Sequence, residues 1–139
     1  SVRIMPCQSR PTTITAAHSV ADAVKLLAER RIGAVPVLQD GAVVGIFSER
    51  DVIRVLAAEG GAALDRTVAD AMTAPAITAD PDNNVLGALS VMTHQRVRHL
   101  PVVQDGRVIG IVSIGDLVKY RIDRIEADAE AMREYIQSA

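Results

Sequence analysis

The sequence predicts an α/β fold in which two pseudo-symmetric strand-helix-strand-strand-helix repeats share one core, with a long helix added at the C-terminus. Three observations lead there. The stretch Gly45-Ile46-Phe47-Ser48-Glu49-Arg50-Asp51 recurs as Gly110-Ile111-Val112-Ser113-Ile114-Gly115-Asp116, with glycine, isoleucine, serine and aspartate in the same places. The apolar runs and turn signals around each copy follow the same order. Each unit, at about sixty residues, is also too short to bury both faces of its own sheet, so the two must cover one another, most simply about a local two-fold axis.

Residues 1–11 mix Ile4 and Met5 with prolines and polar side chains and read as an irregular lead-in. Residues 12–15 form a short strand. Ser19 caps a helix reaching about Arg31, whose Val20, Ala23, Val24 and Leu27 follow the spacing of one buried face. Residues 34–38 and 42–47 are strands joined by Gln39-Asp40-Gly41, where the Asp-Gly pair tolerates the positive φ of a tight hairpin turn. Pro36 cannot donate to a ladder, so its strand starts late or lies at an edge. A second helix opens at Ser48 and carries Val52, Ile53 and Leu56 until Gly60-Gly61 ends it.

The order then restarts. Residues 76–78 repeat the first strand, guided by the Ile-Thr-Ala shared by positions 14–16 and 77–79. Val85, Ala88, Leu89 and Met92 repeat the helix face, and residues 100–103, Gln104-Asp105-Gly106 and residues 108–112 repeat the hairpin. The units are therefore 1–65, the first repeat with its lead-in; 66–121, the second repeat; and 122–139, a C-terminal helical extension. From Val118 the apolar residues Ile122, Ile125, Ala129, Met132 and Ile136 follow at alternating steps of four and three, an a/d seam narrower than the face of a helix packed only on its own domain. That helix, from Gly115 or Asp116 to about Gln137, is expected to need a partner.

Composition excludes several classes. A formal charge of −2 lacks the basic stripe nucleic acid requires, and two Tyr, one Phe and no Trp leave few surfaces for stacking bases. No apolar run reaches a membrane span and the first residues carry no secretory pattern, so the expected compartment is the cytoplasm, with no membrane partner. Cys7 is the single cysteine, which rules out an internal disulfide. No His, Cys and carboxylate spacing resembles a metal site, and no nucleophile motif or phosphate loop is present, so neither catalysis nor a required cofactor is expected.

Serine followed three residues later by aspartate has two readings. It suits a helix cap, the hydroxyl accepting from an early amide while the acid sits near the positive end of the dipole. It also suits a ligand site, with free amides for phosphate and a carboxylate to accept both hydroxyls of a ribose. A two-fold axis would place the two corners, Ser48 with Asp51 and Ser113 with Asp116, on either side of a cleft.

The tandem units, with Val35-Pro36-Val37 through Asp51 and Leu100-Pro101-Val102 through Asp116, resemble a pair of cystathionine-β-synthase (CBS) domains, a Bateman module. Ala71-Met72-Thr73 resembles that family's linker, whereas Ile4-Met5-Pro6 departs from the Met-Thr usual before the first unit. The resemblance implies a regulatory module that takes adenosine-containing ligands such as AMP, ATP, NAD or S-adenosylmethionine between the repeats. It implies that Asp51 and Asp116 hold ribose hydroxyls and that Ser48 and Ser113 face ribose or phosphate. Adenine would then lie among Ile14, Ile77, Val35 and Leu100, with Thr78 beside them. Such pairs also associate into disc-like homodimers that signal to an effector protein. The alternative is a ligand-free dimerisation scaffold in which the motifs serve only as caps.

Within that cleft Arg50, at the second position of a helix start, either contacts phosphate together with Arg96, Arg98 and His99 of the other repeat or lies on a solvated face. His99 is likewise a packed histidine at a strand entrance or a ligand contact. His18 and His94 read as surface residues near helix ends. The repeats differ here: Gly33-Ala34 precedes the first shared proline and Arg98-His99 the second, so two sites on this plan are not equivalent.

Overall fold

The structure, a computed structural model, describes Ile4 and residues 11–138. Met5, Pro6, Cys7 and most of the lead-in lie outside the described residues. Its elements are β1 (Ile14–Thr15), α1 (Val20–Arg30), β2 (Ala34–Gln39), β3 (Ala42–Ser48), α2 (Glu49–Glu59), a 3₁₀ turn (Gly60–Asp65), α3 (Val68–Ala71), α4 (Val85–Gln95), β4 (His99–Gln104), β5 (Arg107–Ser113) and α5 (Ile114–Ser138). One sheet has the order β1-β2-β3 and the other pairs β4 with β5.

The two hairpins are built alike. Asp40 and Gly41 take φ of 52° and 81°, Asp105 and Gly106 52° and 77°, the positive angles that an Asp-Gly turn was expected to supply. Each pair of strands slips by one residue, between Val37 and Leu38 and between Val102 and Val103. Pro36 sits inside β2 opposite Ile46 and not at the strand's start or a sheet edge. Ile46 exchanges both backbone bonds with Thr73, at 2.9 Å each, so nothing on the β3 side asks Pro36 for an amide. β1 begins its pairing one residue later, at Val37.

The second repeat corrects one expectation. Residues 76–78 form no strand; a single parallel bridge joins Ala79 to Val102. In the first repeat it is Ile14 that pairs with Val37, so Ala79 and not Ile77 is the counterpart of Ile14. The shared Ile-Thr-Ala is out of register by two. The bridge does not grow because Pro81 stands where the first repeat has Ala16, whose amide donates to Leu38 O at 2.9 Å; proline has no amide to give.

The shared core takes the form of two buried clusters laced together by exchanged segments. The first joins Val20, Ala23, Val35, Val37, Phe47 and Val55 with Val68 and Ala71 from beyond the first repeat. The second joins Val85, Met92, Leu100, Val102 and Leu117 with Ile4 from the lead-in. The exchange is symmetric in its bonding: Val68 N donates to His18 O at 2.7 Å, and Ile4 N donates to Asn83 O at 2.9 Å, where Asn83 is the counterpart of His18. Burying a Val or Ile side chain contributes about 1.5–3 kcal/mol, so each repeat depends on an apolar strap that follows or precedes it in the chain. Strands β2 and β3 touch β5, which closes the contact between the hairpins.

α2 ends at Gly60, as the glycine pair predicts, with φ of 64°. Beyond it the chain continues into the 3₁₀ turn and α3, which the periodicity did not signal. α5 is 25 residues long and close to its expected span, about 37 Å at 1.5 Å per residue. Its seam is not folded back onto the chain: Ile125 is 52% exposed and Met132 59%. Among the described residues no helix is long and apolar enough to cross a membrane.

Candidate functional site

Both corners cap their helices. At the first, Ser48 Oγ accepts from the Asp51 amide at 3.4 Å while Asp51 Oδ2 accepts from the Ser48 amide at 3.0 Å and from the Ser48 hydroxyl at 3.2 Å. At the second, Ser113 Oγ accepts from the Asp116 amide at 3.0 Å and Asp116 Oδ2 from the Ser113 amide at 3.2 Å. The first backbone amide of each helix is also spent: Glu49 N donates to Gly33 O at 3.1 Å and Ile114 N to Arg98 O at 2.8 Å. Fewer free amides remain at these helix starts than a bare N-terminus offers.

The corners then diverge. Asp51 is 3% exposed, and its Oδ1 accepts from Thr73 Oγ1 at 2.8 Å and Arg54 Nη2 at 3.3 Å. Arg54 Nη2 also donates to Ala71 O at 2.5 Å, so one guanidinium ties the carboxylate to the linker backbone. Gly45 admits that linker: a Cβ there would stand 2.6 Å from Met72 Sδ and 2.8 Å from Thr73 O. Asp116 is exposed, and among the described residues its only hydrogen-bond donor is the Ser113 amide.

A cleft of about 610 Å³ opens beside the first corner. Ser48, Arg50 and Asp51 from the first repeat line it together with Arg96, Arg98 and His99 from the second. Glu49, Gly33, Thr73 and Gln95 add polar surface, and Ile46, Ile53 and Val97 add apolar surface. The volume falls in the range of small-molecule sites, roughly 300–1,000 Å³. His99 leans on the facing repeat, where a Cβ on Gly33 would stand 3.2 Å from its Nε2. Burial lowers its pKa from the ordinary 6.5, against the opposing pull of Asp116 and Glu49; Arg98 adds to the lowering.

Of the residues expected at the site, six therefore meet in one cleft: Ser48, Arg50, Asp51, Arg96, Arg98 and His99. Ser113 and Asp116 lie on the opposite corner. Beside them a shallower hollow of about 530 Å³ is lined by Arg98, Gly115, Val118, Lys119 and Ile122 with Ile114. Ile14, Val35 and Leu100 are core residues, at 5%, 0% and 1% exposure, and are not among the cleft's lining. Ile77 packs partly buried against the second cluster, and Thr78 is exposed outside both hollows. Thr73 and Arg54 were not foreseen. Arg54 stands one helical turn after Asp51, which was the available signal; Thr73 belongs to the linker that the sequence had singled out only as a resemblance. Among the described residues no cluster of three or more His, Cys, Asp or Glu is placed to hold a metal.

Known proteins resemble this chain along most of its length. The CBS domain family matches it twice, at residues 4–58 and 68–123. A mitochondrial CBS domain-containing protein of Arabidopsis thaliana, CBSX3, is 37% identical over 128 residues; the match covers 88% of this chain and 62% of that protein. The crystal structure of the CBS-domain containing protein ATU1752 from Agrobacterium tumefaciens superposes with a TM-score of 0.75 at 39% identity, covering 80% of this chain and 84% of the other. The CBS domain pair of MJ0100, in complex with methylthioadenosine and S-adenosyl-L-methionine, gives 0.74 at 28% identity over 87% and 98% of the two chains. CBSX2 in complex with AMP gives 0.73 at 26% over 88% and 98%. The chain thus belongs to the CBS domain family and carries two CBS domains in tandem.

Proposed function

We propose that the chain is a regulatory module, not an enzyme, that binds an adenosine-containing ligand of the AMP, ATP, NAD or S-adenosylmethionine class in the cleft between its repeats and signals through a homodimer. The observation that carries the reading is the meeting of Ser48, Arg50 and Asp51 with Arg98 and His99 across one cleft of nucleotide size. The ligands held by MJ0100 and CBSX2 support it. In this reading Asp51 or Asp116 accepts ribose hydroxyls, Arg50 with Arg98 and His99 takes phosphate, and the base lies against Ile46, Ile53 and Val97 without an aromatic stack. Homodimerisation draws support from the uncovered seam of α5, whose apolar residues need a partner surface.

One observation favours the alternative of a ligand-free scaffold: every donor around Asp51 is internal, so the carboxylate already serves as a cap and a tie. Calorimetric titration with AMP and with adenosine separates the readings. AMP is expected to bind more tightly than adenosine, and its advantage to shrink in Arg50→Ala, in Arg98→Ala and with added salt. Equal affinities would remove the phosphate assignment, and no binding by these two or by ATP, NAD or S-adenosylmethionine would leave the scaffold.

A further inference from the structure

The four hydrogen bonds on Asp51 have a consequence for any ligand that uses it. Its Oδ2 is held by the Ser48 amide, a bond of the helix cap itself, and by the Ser48 hydroxyl, whose proton can turn away while its oxygen stays in the cap; a diol that spans both oxygens still needs a place on Oδ1. Its Oδ1 is held by two groups that can leave. The Thr73 hydroxyl swings away by rotation about one bond, and the Arg54 side chain is 57% exposed. A vicinal diol brings two donors to a carboxylate whose oxygens each already accept two hydrogen bonds, and whose side chain is 4% exposed. At least one resident donor must give way. We infer that Thr73 and Arg54 compete with the ligand's hydroxyls for Asp51 Oδ1, so that filling the cleft unclasps linker residues 71–73 from α2.

This rests on the reading of the cleft as a nucleoside site and names the regulation of that site. Thr73 lines the cleft, so its hydroxyl stands where an incoming ribose must contend with it. Arg54 reaches from Asp51 Oδ1 to Ala71 O, so displacing the guanidinium loosens the linker at Ala71, and displacing the Thr73 hydroxyl loosens it at the other end of residues 71–73. What then holds the segment to the first repeat is Ala71, buried in the first cluster, together with the pair of 2.9 Å backbone bonds between Thr73 and Ile46 and the seat of Met72 over Gly45. The segment opens the second CBS domain, residues 68–123, and is packed on the first, so occupancy is read out where the two domains are strapped together. The second corner has no such clasp: Lys119 stands in place of Arg54, and Asp116 Oδ1 accepts from none of the described residues. Thr73 is a positioning residue whose loss frees the acceptor.

The test is titration of AMP into the wild type, Thr73→Val and Thr73→Ser, with hydrogen exchange followed at the Thr73 and Ile46 amides. Valine keeps the shape and removes the competing donor. Thr73→Val is expected to bind AMP about fivefold more tightly, the worth of one net hydrogen bond, while Thr73→Ser behaves as the wild type. In the wild type both amides are expected to exchange faster with AMP bound. If the wild type binds AMP but Thr73→Val binds it equally or less well, the clasp is overturned and the binding site stands. Slower or unchanged exchange at both amides overturns it as well, and decides alone should Thr73→Val not fold. If neither the wild type nor the variants bind AMP, ATP, NAD or S-adenosylmethionine, the nucleoside reading fails and the clasp with it.

Discussion

The corner at Ser48–Asp51 and the corner at Ser113–Asp116 share a motif, a hairpin register and a cap, yet their carboxylates live in different surroundings. Asp51 is 3% exposed and accepts from Ser48, Arg54 and Thr73; Asp116 is exposed and accepts from Ser113 alone among the described residues. The motif sets the local bond pattern, because Ser-x-x-Asp closes a capping turn wherever a helix begins. What the carboxylate is free to do is set by what crosses it. The linker crosses Asp51 and brings Thr73, and the next turn of helix offers Arg54 at one corner and Lys119 at the other.

The largest expected effect comes from separating the two regions altogether. Residues 1–65 lose Val68 and Ala71 from their cluster, and residues 74–139 lose Ile4 from theirs. Expressed apart, neither is expected to give a cooperative melt near that of the intact chain; two such melts would mean that the exchanged straps are dispensable.

Asp→Asn at each corner then measures how far the carboxylates differ. The side-chain amide nitrogen that Asp51→Asn introduces would face donors on whichever side it points, so the substitution should cost roughly 2–3 kcal/mol in denaturant unfolding. Asp116→Asn keeps its acceptor for the Ser113 amide and should cost less than about 1 kcal/mol. Equal losses would show that the burial of Asp51 is not what distinguishes it.

α5 exists only on the second repeat's side, where α2 stops at Gly60. Ile125→Asp with Met132→Asp puts charge into its seam while leaving the cleft intact. Sedimentation of the double variant should reveal a species about half the mass of the wild type that still binds nucleotide; a wild type that is already monomeric at high micromolar concentration removes the seam's assigned partner.

The smallest effect concerns His99, the side chain that bridges the two corners. Burial lowers its pKa in the folded chain, so between the folded value and the unfolded 6.5 the unfolded chain binds more protons. Stability should therefore fall as pH drops below about 6.5, and His99→Gln should flatten that fall. A bound phosphate works the other way, favouring the protonated ring, so AMP affinity should rise on acidification. A pH profile unaltered by His99→Gln would place the titration elsewhere.

Much of this arrangement was legible in the chain because it is local. Asp40-Gly41 and Asp105-Gly106 announce their turns, Ser19, Ser48 and Ser113 announce helix starts, and the spacing from Val118 to Ile136 announces a helix with an exposed seam. Gly45 recurs with its motif as Gly110, but nothing local says that the linker, through Met72 and Thr73, approaches it. The failures are of register and of distance. The shared Ile-Thr-Ala pointed to Ile77, whereas pairing with Val102 falls to Ala79, because a strand's partner is fixed by the hairpin beside it and not by sequence likeness. Ile14, Val35 and Leu100 were expected beside the base, whereas packing buries them in the core. The tie from Asp51 to Thr73 spans twenty-two residues and has no periodicity to betray it.

If the cleft between the two CBS domains is a nucleotide site, thermal unfolding of the intact chain across AMP, ATP, NAD and S-adenosylmethionine will register it. At a hundred times its dissociation constant a ligand adds about 2.7 kcal/mol to stability, so at least one member of the panel should raise the melting temperature by several degrees and do so in proportion to the logarithm of its concentration. A melting temperature unmoved by every member at millimolar concentration would contradict the account and leave the chain a scaffold.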